Sequence, residues 1–357
     1  MELGPAPRSF SIVMKSRDRY GAGAMHSSSR ETVYSRTRLR VLVILLGLGA
    51  AEFCLPAAKA GTPLNLDVLA RDGYGMVRIQ RPLPNSLVVR GNINGRDAKL
   101  VLDTGWGADG ISLDSGFAKQ LGLSTQEVKG HGMSVSGARM DVRKGMAGLV
   151  VLGNVQITGL PLSVGTFGVL RNEHERQSIG ASGFVGPAFL HTNSAIVDLQ
   201  NLRLYLRPPG KGRRAQLGPA LKGVGLSEVP FMWDGQSRHI FVDAEINGVT
   251  GKMVIDTGAY LTLVDTRFAL QMKDNGYASN LSMIDAAGVA NQVRRTRARS
   301  FKIGGIDVHP PDITLSPGSF YTTSGGKVIG LLGMDVLGQN WGIIDFGQQK
   351  LYFASAK

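Results

Sequence analysis

The chain has 357 residues, which is long enough for two domains of ordinary size that each bury their own core. Its 48 glycines, its many short β-branched runs and the lack of a long helical period predict a turn-rich, all-β protein and argue against a helical one. The formal net charge is +13, but there is no aromatic interleaving and no nucleic-acid motif, so we expect no DNA or RNA partner.

Residues 1–60 have the pattern of a signal peptide with an N-terminal extension. A basic stretch precedes an apolar run over residues 41–51, and Ala58 and Ala60 supply the small side chains that a signal peptidase reads. The run is too short to span a hydrocarbon core of about 30 Å as a helix, so we favour a cleaved signal over an uncleaved anchor. We expect export to the periplasm or the extracellular space, a mature chain from about Gly61 and no stable membrane association.

The beginning of this segment leaves the start of translation open. Residues 1–24 make the region before the apolar run unusually long, and Met25 would give a more ordinary start than Met1. Cys54 is the sole cysteine and lies inside the presumed signal, so we expect no disulfide in the mature chain. The residues just before Cys54 are not the small ones of a lipoprotein signal, which argues against lipid attachment.

A first β unit follows the signal. Residues 76–80 read as a strand, prolines interrupt the pattern, and another strand begins at Leu87. Asn94 and Gly95 lie between apolar runs and are typical of a tight hairpin turn. The returning strand ends at Asp103-Thr104-Gly105, the first triplet.

Two further segments complete this unit. Residues 133–140 read as a second hairpin with Gly137 at its tip, where glycine permits a positive φ and a mobile flap. Residues 183–190 begin with the apolar segment Gly-Phe-Val-Gly.

The second half of the chain repeats this order. Residues 87–105 align without gaps with residues 240–258 at an offset of 153, so the repeat ends at the second triplet, Asp256-Thr257-Gly258. A matching hairpin over residues 283–290 has Gly288 at its predicted tip. Residues 330–337 then match the apolar segment of the first unit at an offset of 147, which indicates an internal duplication.

Between the units, residues 207–222 are rich in Pro, Gly and basic side chains, a composition that resists packing into a core. We predict a linker here. It separates a first lobe, residues 61–206, from a second lobe, residues 223–357.

The repeated order of apolar strand, Asp-Thr-Gly, hairpin and apolar-apolar-Gly segment resembles the pepsin-like and retropepsin-like aspartic peptidases. The resemblance covers about residues 75–353. It implies an all-β, two-lobed architecture of β-barrels related by a pseudo-two-fold axis. A single chain with both copies needs no partner copy to complete such a site, so we expect a monomer.

By this resemblance, Asp103 and Asp256 are the catalytic residues. Two carboxyls that share one site do not both ionise easily, so one can activate water while the other donates a hydrogen bond to the scissile carbonyl. The resemblance gives supporting roles to the other triplet residues, with the threonines bracing the lobes and the glycines letting backbone approach the carboxyls: Thr104, Thr257, Gly105 and Gly258.

The residues after the triplets, Trp106 and Ala259, are candidates to line a substrate pocket. Pepsin-like members have Ser or Thr here and retropepsin-like members have Ala, so Ala259 fits and Trp106 fits neither. Trp106 could crowd the site, line a pocket or pack under its lobe. Because neither residue offers a hydroxyl to the ionised carboxylate, we predict a less acidic pH optimum than that of pepsin.

We expect a secreted or periplasmic aspartic endopeptidase that acts on peptide or protein substrates without a metal or organic cofactor. The six histidines show no metal-binding spacing, and no Gly-x-Ser-x-Gly elbow is present. The alternative is a non-catalytic peptide-binding protein that keeps the aspartic protease fold.

Overall fold

The protein is described from a computed structural model, and the described residues belong to one compact unit, Met1–Arg17 with Asn65–Lys357. Of the predicted signal, only residues 8–9 and 13–16 are described, and Gly137 lies outside the described residues. None of the helices in this part of the chain is long and apolar enough to cross a membrane. The described ranges are 8–9, 13–16, 66–83, 86–128, 132–134, 138–171, 179–210, 214–274, 276–309, 311–316, 322–323 and 326–356.

Strands dominate these ranges, which confirms the predicted all-β fold. The strands of the N-terminal half are β1 (Arg8–Ser9), β2 (Val13–Ser16), β3 (Gly75–Gln80), β4 (Val88–Ile93), β5 (Arg96–Leu102), β6 (Ile111–Asp114), β7 (Gln126–Glu127), β8 (Gly132–Ser134), β9 (Arg139–Met140), β10 (Val142–Leu152), β11 (Val155–Gly165), β12 (Gly183–Val185), β13 (Ile196–Asp198) and β14 (Arg203–Leu206).

The strands of the C-terminal half are β15 (Ser227–Pro230), β16 (Met232–Asp234), β17 (His239–Ile246), β18 (Val249–Ile255), β19 (Leu263–Asp265), β20 (Tyr277–Ile284), β21 (Ala290–Arg297), β22 (Phe301–Ile303), β23 (Ile306–Asp307), β24 (Asp312–Ser316), β25 (Thr322–Thr323), β26 (Gly326–Leu332), β27 (Ile343–Asp345) and β28 (Lys350–Phe353).

The helices are short. Matching aspartates cap two of them, because Asp114 accepts a hydrogen bond from the Gly116 N–H (2.9 Å) and Asp265 accepts one from the Arg267 N–H (2.8 Å). A 3₁₀ helix covers Leu66–Asp72, and the α-helices are α1 (Ser115–Gln120), α2 (Gly168–Arg171), α3 (Pro187–Thr192), α4 (Gly218–Gly223), α5 (Thr266–Gln271) and α6 (Met334–Leu337).

The first lobe contains a closed ring of six strands, β4, β5, β12, β6, β11 and β10, in which β10 pairs back onto β4. In the closing pair, Val150 lies opposite Ile93, and both side chains are buried. Closure satisfies the backbone of strands that would otherwise be edges. The resulting barrel holds the strand that ends at the first triplet.

The second lobe repeats this order around its own triplet. Strand β17 pairs with β18, β18 runs parallel to β26, and β26 pairs with β19, as β4, β5, β12 and β6 do in the first lobe. Both predicted Asn-Gly turns are confirmed, since Asn94 and Asn247 have φ of 50° while Gly95 and Gly248 have φ of 85° and 82°. Positive φ at both central residues is what a two-residue hairpin turn requires.

Six strands join the two lobes in the order β15, β28, β27, β13, β14 and β3. Strands β13 and β27 are copies of each other in the duplicated sequence, and they pair antiparallel with Val197 opposite Ile344. These two residues are themselves equivalent at the offset of 147, so a two-fold axis passes between them. The strand pairing therefore confirms the pseudo-two-fold duplication.

The predicted linker contains folded structure. Helix α4 begins within it and ends one residue beyond it, and Leu217 and Leu221 are buried. Since β27 and β28 share a sheet with β13 and β14, the lobes are closely joined. The lobe boundaries at residues 206 and 223 stay a prediction.

Candidate active site

Each triplet follows the end of a strand in the same local setting. Strand β5 ends at Leu102 and β18 at Ile255, and in both lobes the next strand of the sheet is the parallel apolar segment. The Asp103 N–H donates to the Val185 carbonyl and the Asp256 N–H to the Leu332 carbonyl, both at 3.0 Å. The duplicated framework thus delivers two aspartates in equivalent positions.

The two threonines lock the triplets together. The Thr104 N–H donates to the Thr257 hydroxyl oxygen (3.0 Å), and the Thr257 N–H donates to the Thr104 hydroxyl oxygen (2.9 Å). Each hydroxyl in turn donates across the axis, Thr104 to the Ile255 carbonyl (2.7 Å) and Thr257 to the Leu102 carbonyl (2.8 Å). These four buried hydrogen bonds fix the two aspartates relative to each other.

The two glycines bring backbone against the carboxyls. The Gly105 N–H donates to Asp103 Oδ1 (2.9 Å) and the Gly258 N–H donates to Asp256 Oδ1 (2.8 Å). A Cβ at Gly105 would lie 2.4 Å from Asp256 Cγ, and one at Gly258 would lie 2.4 Å from Asp103 Cγ. Each glycine therefore contacts the carboxyl of the other lobe, and the structure brings Asp103 and Asp256 together.

The carboxyls share an environment that disfavours two negative charges. Both aspartates are 0% exposed. Burial raises the pKa of Asp256 well above its ordinary value, and the charge of Asp103 raises it further, while the N–H groups of Gly258 and Ala259 act in the opposite direction. A side-chain hydrogen bond between the two carboxyls also raises this pKa, as expected for a pair that shares one proton. The pair is suited to hold one proton.

Trp106 packs inside its lobe, the third of its predicted placements. It is 1% exposed, stacks on Phe184 with ring centroids 4.0 Å apart and meets Phe167 edge-on. Its Nε1–H donates to the Ser112 hydroxyl (2.7 Å), which satisfies the one polar atom of the indole. Trp106 therefore forms part of an aromatic wall.

Ala259, the counterpart of Trp106, is buried as well. Its N–H donates to Asp256 Oδ1 at 3.1 Å, so it supports the second carboxyl through its backbone. Its side chain lies in a separate apolar cluster with Leu263 and Leu331. The two halves of the site thus have different walls.

The second hairpin reaches the first lobe. Gly288 has φ of +85° in the turn between β20 and β21, and Asp285 accepts a hydrogen bond from the Val289 N–H (2.8 Å) that closes the turn. A Cβ at Gly288 would lie 3.0 Å from the Cα of Gly168 in α2. Ala286 joins the same apolar cluster as Trp106. This predicted flap tip therefore rests on the opposite lobe, whereas Gly137 lies outside the described residues.

Two short N-terminal strands lie along the hairpin edges. Strand β1 pairs parallel with β8, and β2 pairs antiparallel with β20. The pseudo-two-fold axis makes β20 run in the direction opposite to β8. An extended segment that lies along both strands is therefore parallel to β8 and antiparallel to β20. Both hairpins thus present backbone edges that accept an extended chain.

Sequence reasoning missed Asp335. This partly buried carboxylate accepts hydrogen bonds from the Thr262 N–H (2.9 Å) and the Thr262 hydroxyl (2.7 Å), and desolvation raises its pKa although these bonds lower it. The signal was an acidic residue two positions after Gly333, inside the otherwise apolar segment 330–337. The first copy has Ala188 at the matching position, so comparison of the copies alone could not reveal it.

Sequence reasoning also missed His239, the first residue of β17, and Arg238, which precedes it. His239 is buried, and its Nε2 lies 3.0 Å from the Gly105 carbonyl oxygen, while Arg238 forms an ion pair with Asp109. Both contacts cross from the second lobe to the first. The part of the chain that the structure describes holds no cluster of His, Cys, Asp and Glu able to bind a metal ion.

The family described as Aspartyl protease matches residues 89–182 and residues 242–336. The matches fall one on each copy of the duplication, and each contains one triplet. Together they cover more than half of the chain. No curated protein sequence matches it.

Proposed function

The chain belongs to the aspartyl protease family, and we propose that it is an endopeptidase in which Asp103 and Asp256 activate one water molecule. The observation that carries this proposal is the contact of each triplet glycine with the carboxyl of the other lobe, which brings the two carboxyls close together. The raised pKa of Asp256 supports a resting site in which the pair holds one proton.

Peptide hydrolysis uses this shared proton. The ionised carboxyl takes a proton from water as the water oxygen attacks the scissile carbonyl carbon, and the protonated carboxyl donates to the carbonyl oxygen. The tetrahedral intermediate collapses, the C–N bond breaks, and the leaving nitrogen receives a proton from the pair. The acid and base roles belong to the pair because the two groups titrate together.

The substrate is an extended peptide or protein segment. The edges of β8 and β20 already pair with extended strands of this chain, which supports main-chain pairing as the way a substrate is held. Aromatic side chains surround Trp106 beside the first carboxyl, whereas the smaller Ala259 lies beside the second. We therefore expect the enzyme to prefer different residues on the two sides of the scissile bond.

Export is part of the proposal. The basic stretch, apolar run and small residues of the sequence up to Ala60 support a cleaved signal and a periplasmic or extracellular enzyme that works as a monomer. Mass spectrometry of the exported protein should give a mature N-terminus near Gly61. A product that retains the apolar run would contradict signal cleavage.

The test is hydrolysis of an unfolded protein substrate by wild type, Asp103→Asn and Asp256→Asn. Each variant should lower kcat/KM by roughly 10² to 10⁴-fold, because it removes one member of the acid–base pair. Asp307→Asn is the matched control, since Asp307 is exposed on β23 and should keep full activity.

A folded wild-type protein that binds peptide without cleaving it would refute the enzyme proposal. That result would favour the non-catalytic peptide-binding protein. Full activity in either dyad variant would refute the assigned roles.

A further inference from the structure

His239 lies at the boundary between the lobes, as the first residue of β17, and is 0% exposed. Its Nε2 lies 3.0 Å from the carbonyl oxygen of Gly105 in the first lobe. A carbonyl oxygen only accepts hydrogen bonds, so Nε2 carries the hydrogen and donates. The imidazole therefore holds the first triplet from the opposite lobe.

Gly105 lies against both carboxyls. Its N–H donates to Asp103 Oδ1 at 2.9 Å, and its Cα is placed so that an added Cβ would lie 2.4 Å from Asp256 Cγ. Its carbonyl is the group that His239 holds. A rotation of Gly105 would therefore disturb its hydrogen bond to Asp103 and its contact with Asp256 at the same time.

The duplication provides an internal comparison. The residue equivalent to His239 at the offset of 153 is Ser86, which is buried and whose hydroxyl has no hydrogen-bond partner among the described residues. The histidine contact is thus made on one side of the axis, toward the first triplet. It is not a general feature of the duplicated framework.

The chain after each triplet is also held differently. In the second lobe, Asp335 binds Thr262 within the same lobe. In the first lobe the equivalents are Ala188 and Asp109, and Asp109 pairs with Arg238, the neighbour of His239. The first half of the site is therefore held from the second lobe at two successive residues.

We propose that His239 is a positioning residue for the carboxyl pair. It acts through Gly105, without touching the reacting atoms, and it makes the geometry of the first half-site depend on docking of the second lobe. This inference rests on the proposed peptidase function.

The test compares kcat, KM and thermal unfolding for His239→Leu, His239→Gln and the wild type. His239→Leu removes the donor, and the resulting displacement at the dyad should lower kcat by roughly 10 to 100-fold with KM changed by less than about threefold. His239→Gln keeps an N–H near the position of Nε2 and should recover most of kcat. Ser86→Ala is the matched control and should keep wild-type kcat, because it removes a hydroxyl without a partner.

A purely structural role would give a different pattern. If His239→Gln lost as much kcat as His239→Leu, or if His239→Leu kept wild-type kcat while its unfolding temperature fell, the positioning role would be overturned. An effect on KM alone would also overturn it. If the wild type cleaves no peptide, the proposed function itself fails, and this inference fails with it; an active wild type with an equally active His239→Leu variant refutes the inference alone.

Discussion

One methyl group added at Gly105 or Gly258 should disable the carboxyl pair while the lobes still fold. The Cβ of Gly105→Ala would lie 2.4 Å from Asp256 Cγ, whereas ordinary van der Waals contact begins at 3.4 Å. The carboxyl or the triplet backbone must therefore move by about 1 Å, a displacement of a catalytic group that costs roughly 100-fold in rate.

This displacement cannot be absorbed by a free side chain. Asp256 Oδ1 accepts hydrogen bonds from the Gly258 N–H (2.8 Å) and the Ala259 N–H (3.1 Å), so its movement strains both. Inserting one methyl group into such packing costs about 1–3 kcal/mol of stability. We expect kcat/KM to fall about 100-fold and the midpoint of thermal unfolding to fall by several degrees, with the protein still folded at room temperature.

The assay is peptide hydrolysis together with thermal unfolding of each variant. Gly223→Ala is the control, because an added Cβ there meets nothing within 4 Å, and it should match wild type in both measurements. Wild-type kcat/KM in Gly105→Ala would refute the close approach of backbone and carboxyl on which the proposed site depends. An equal loss in Gly223→Ala would mean that the assay reports general damage.

Three further predictions concern the charge of Asp256, the hydrogen bonds between Asp335 and Thr262, and the hairpin edges. The pKa of Asp256 is raised in the folded state, so protonation of this carboxyl stabilises the fold. That stabilisation is complete below the unfolded-state pKa of about 4 and is lost as the pH rises through the folded-state pKa. Asp256→Asn should therefore be more stable than wild type at neutral pH, with a difference that shrinks on acidification; thermal unfolding across pH measures this, and a difference independent of pH would contradict it. Asp335→Ala leaves the two donors of Thr262 without their acceptor, which should lower the free energy of unfolding by about 1–3 kcal/mol for each donor. Asp335→Asn keeps one acceptor oxygen, so it should lower the free energy of unfolding by less. Chemical denaturation measures both variants, and equal losses would contradict the hydrogen-bond explanation. A chain that begins at Gly61 lacks β1 and β2, so it should bind a long peptide substrate with a lower KM than the full chain, and an unchanged KM would show that these strands do not compete with substrate.

The duplicated framework was predictable because it is written twice in the sequence. The strand before each triplet ends in an apolar run, and the Asn-Gly turn before that strand needs positive φ, so both signals are local and repeated. The antiparallel pairing of Val197 with Ile344 then follows from relating the copies by a two-fold axis. The symmetric part of the fold could therefore be predicted from the sequence alone.

The asymmetric part of the site could not be predicted by comparing the two copies. His239 and Asp335 have no counterparts of the same type in the other copy, where Ser86 and Ala188 occupy the matching positions. The docking of the second hairpin on Gly168 also depends on a contact between distant segments. The His239 and Gly168 contacts follow from how the lobes pack together, and the Asp335 contact follows from packing within the second lobe; comparison of the two copies predicts none of them.

A single chain explains how this asymmetry can arise. In a symmetric dimer, any residue that holds one half of the site is present in both halves, so loss of the Asp335 carboxylate would remove both networks at once. Here the copies are separate positions of one chain, and the first lobe can have Ala188 while Arg238 and His239 hold its post-triplet segment from outside. The two carboxyls need only meet in the same geometry, which the shared threonine contacts fix. Apolar packing as different as that around Trp106 and Ala259 is then compatible with one dyad, and this asymmetry is where substrate selection should be sought.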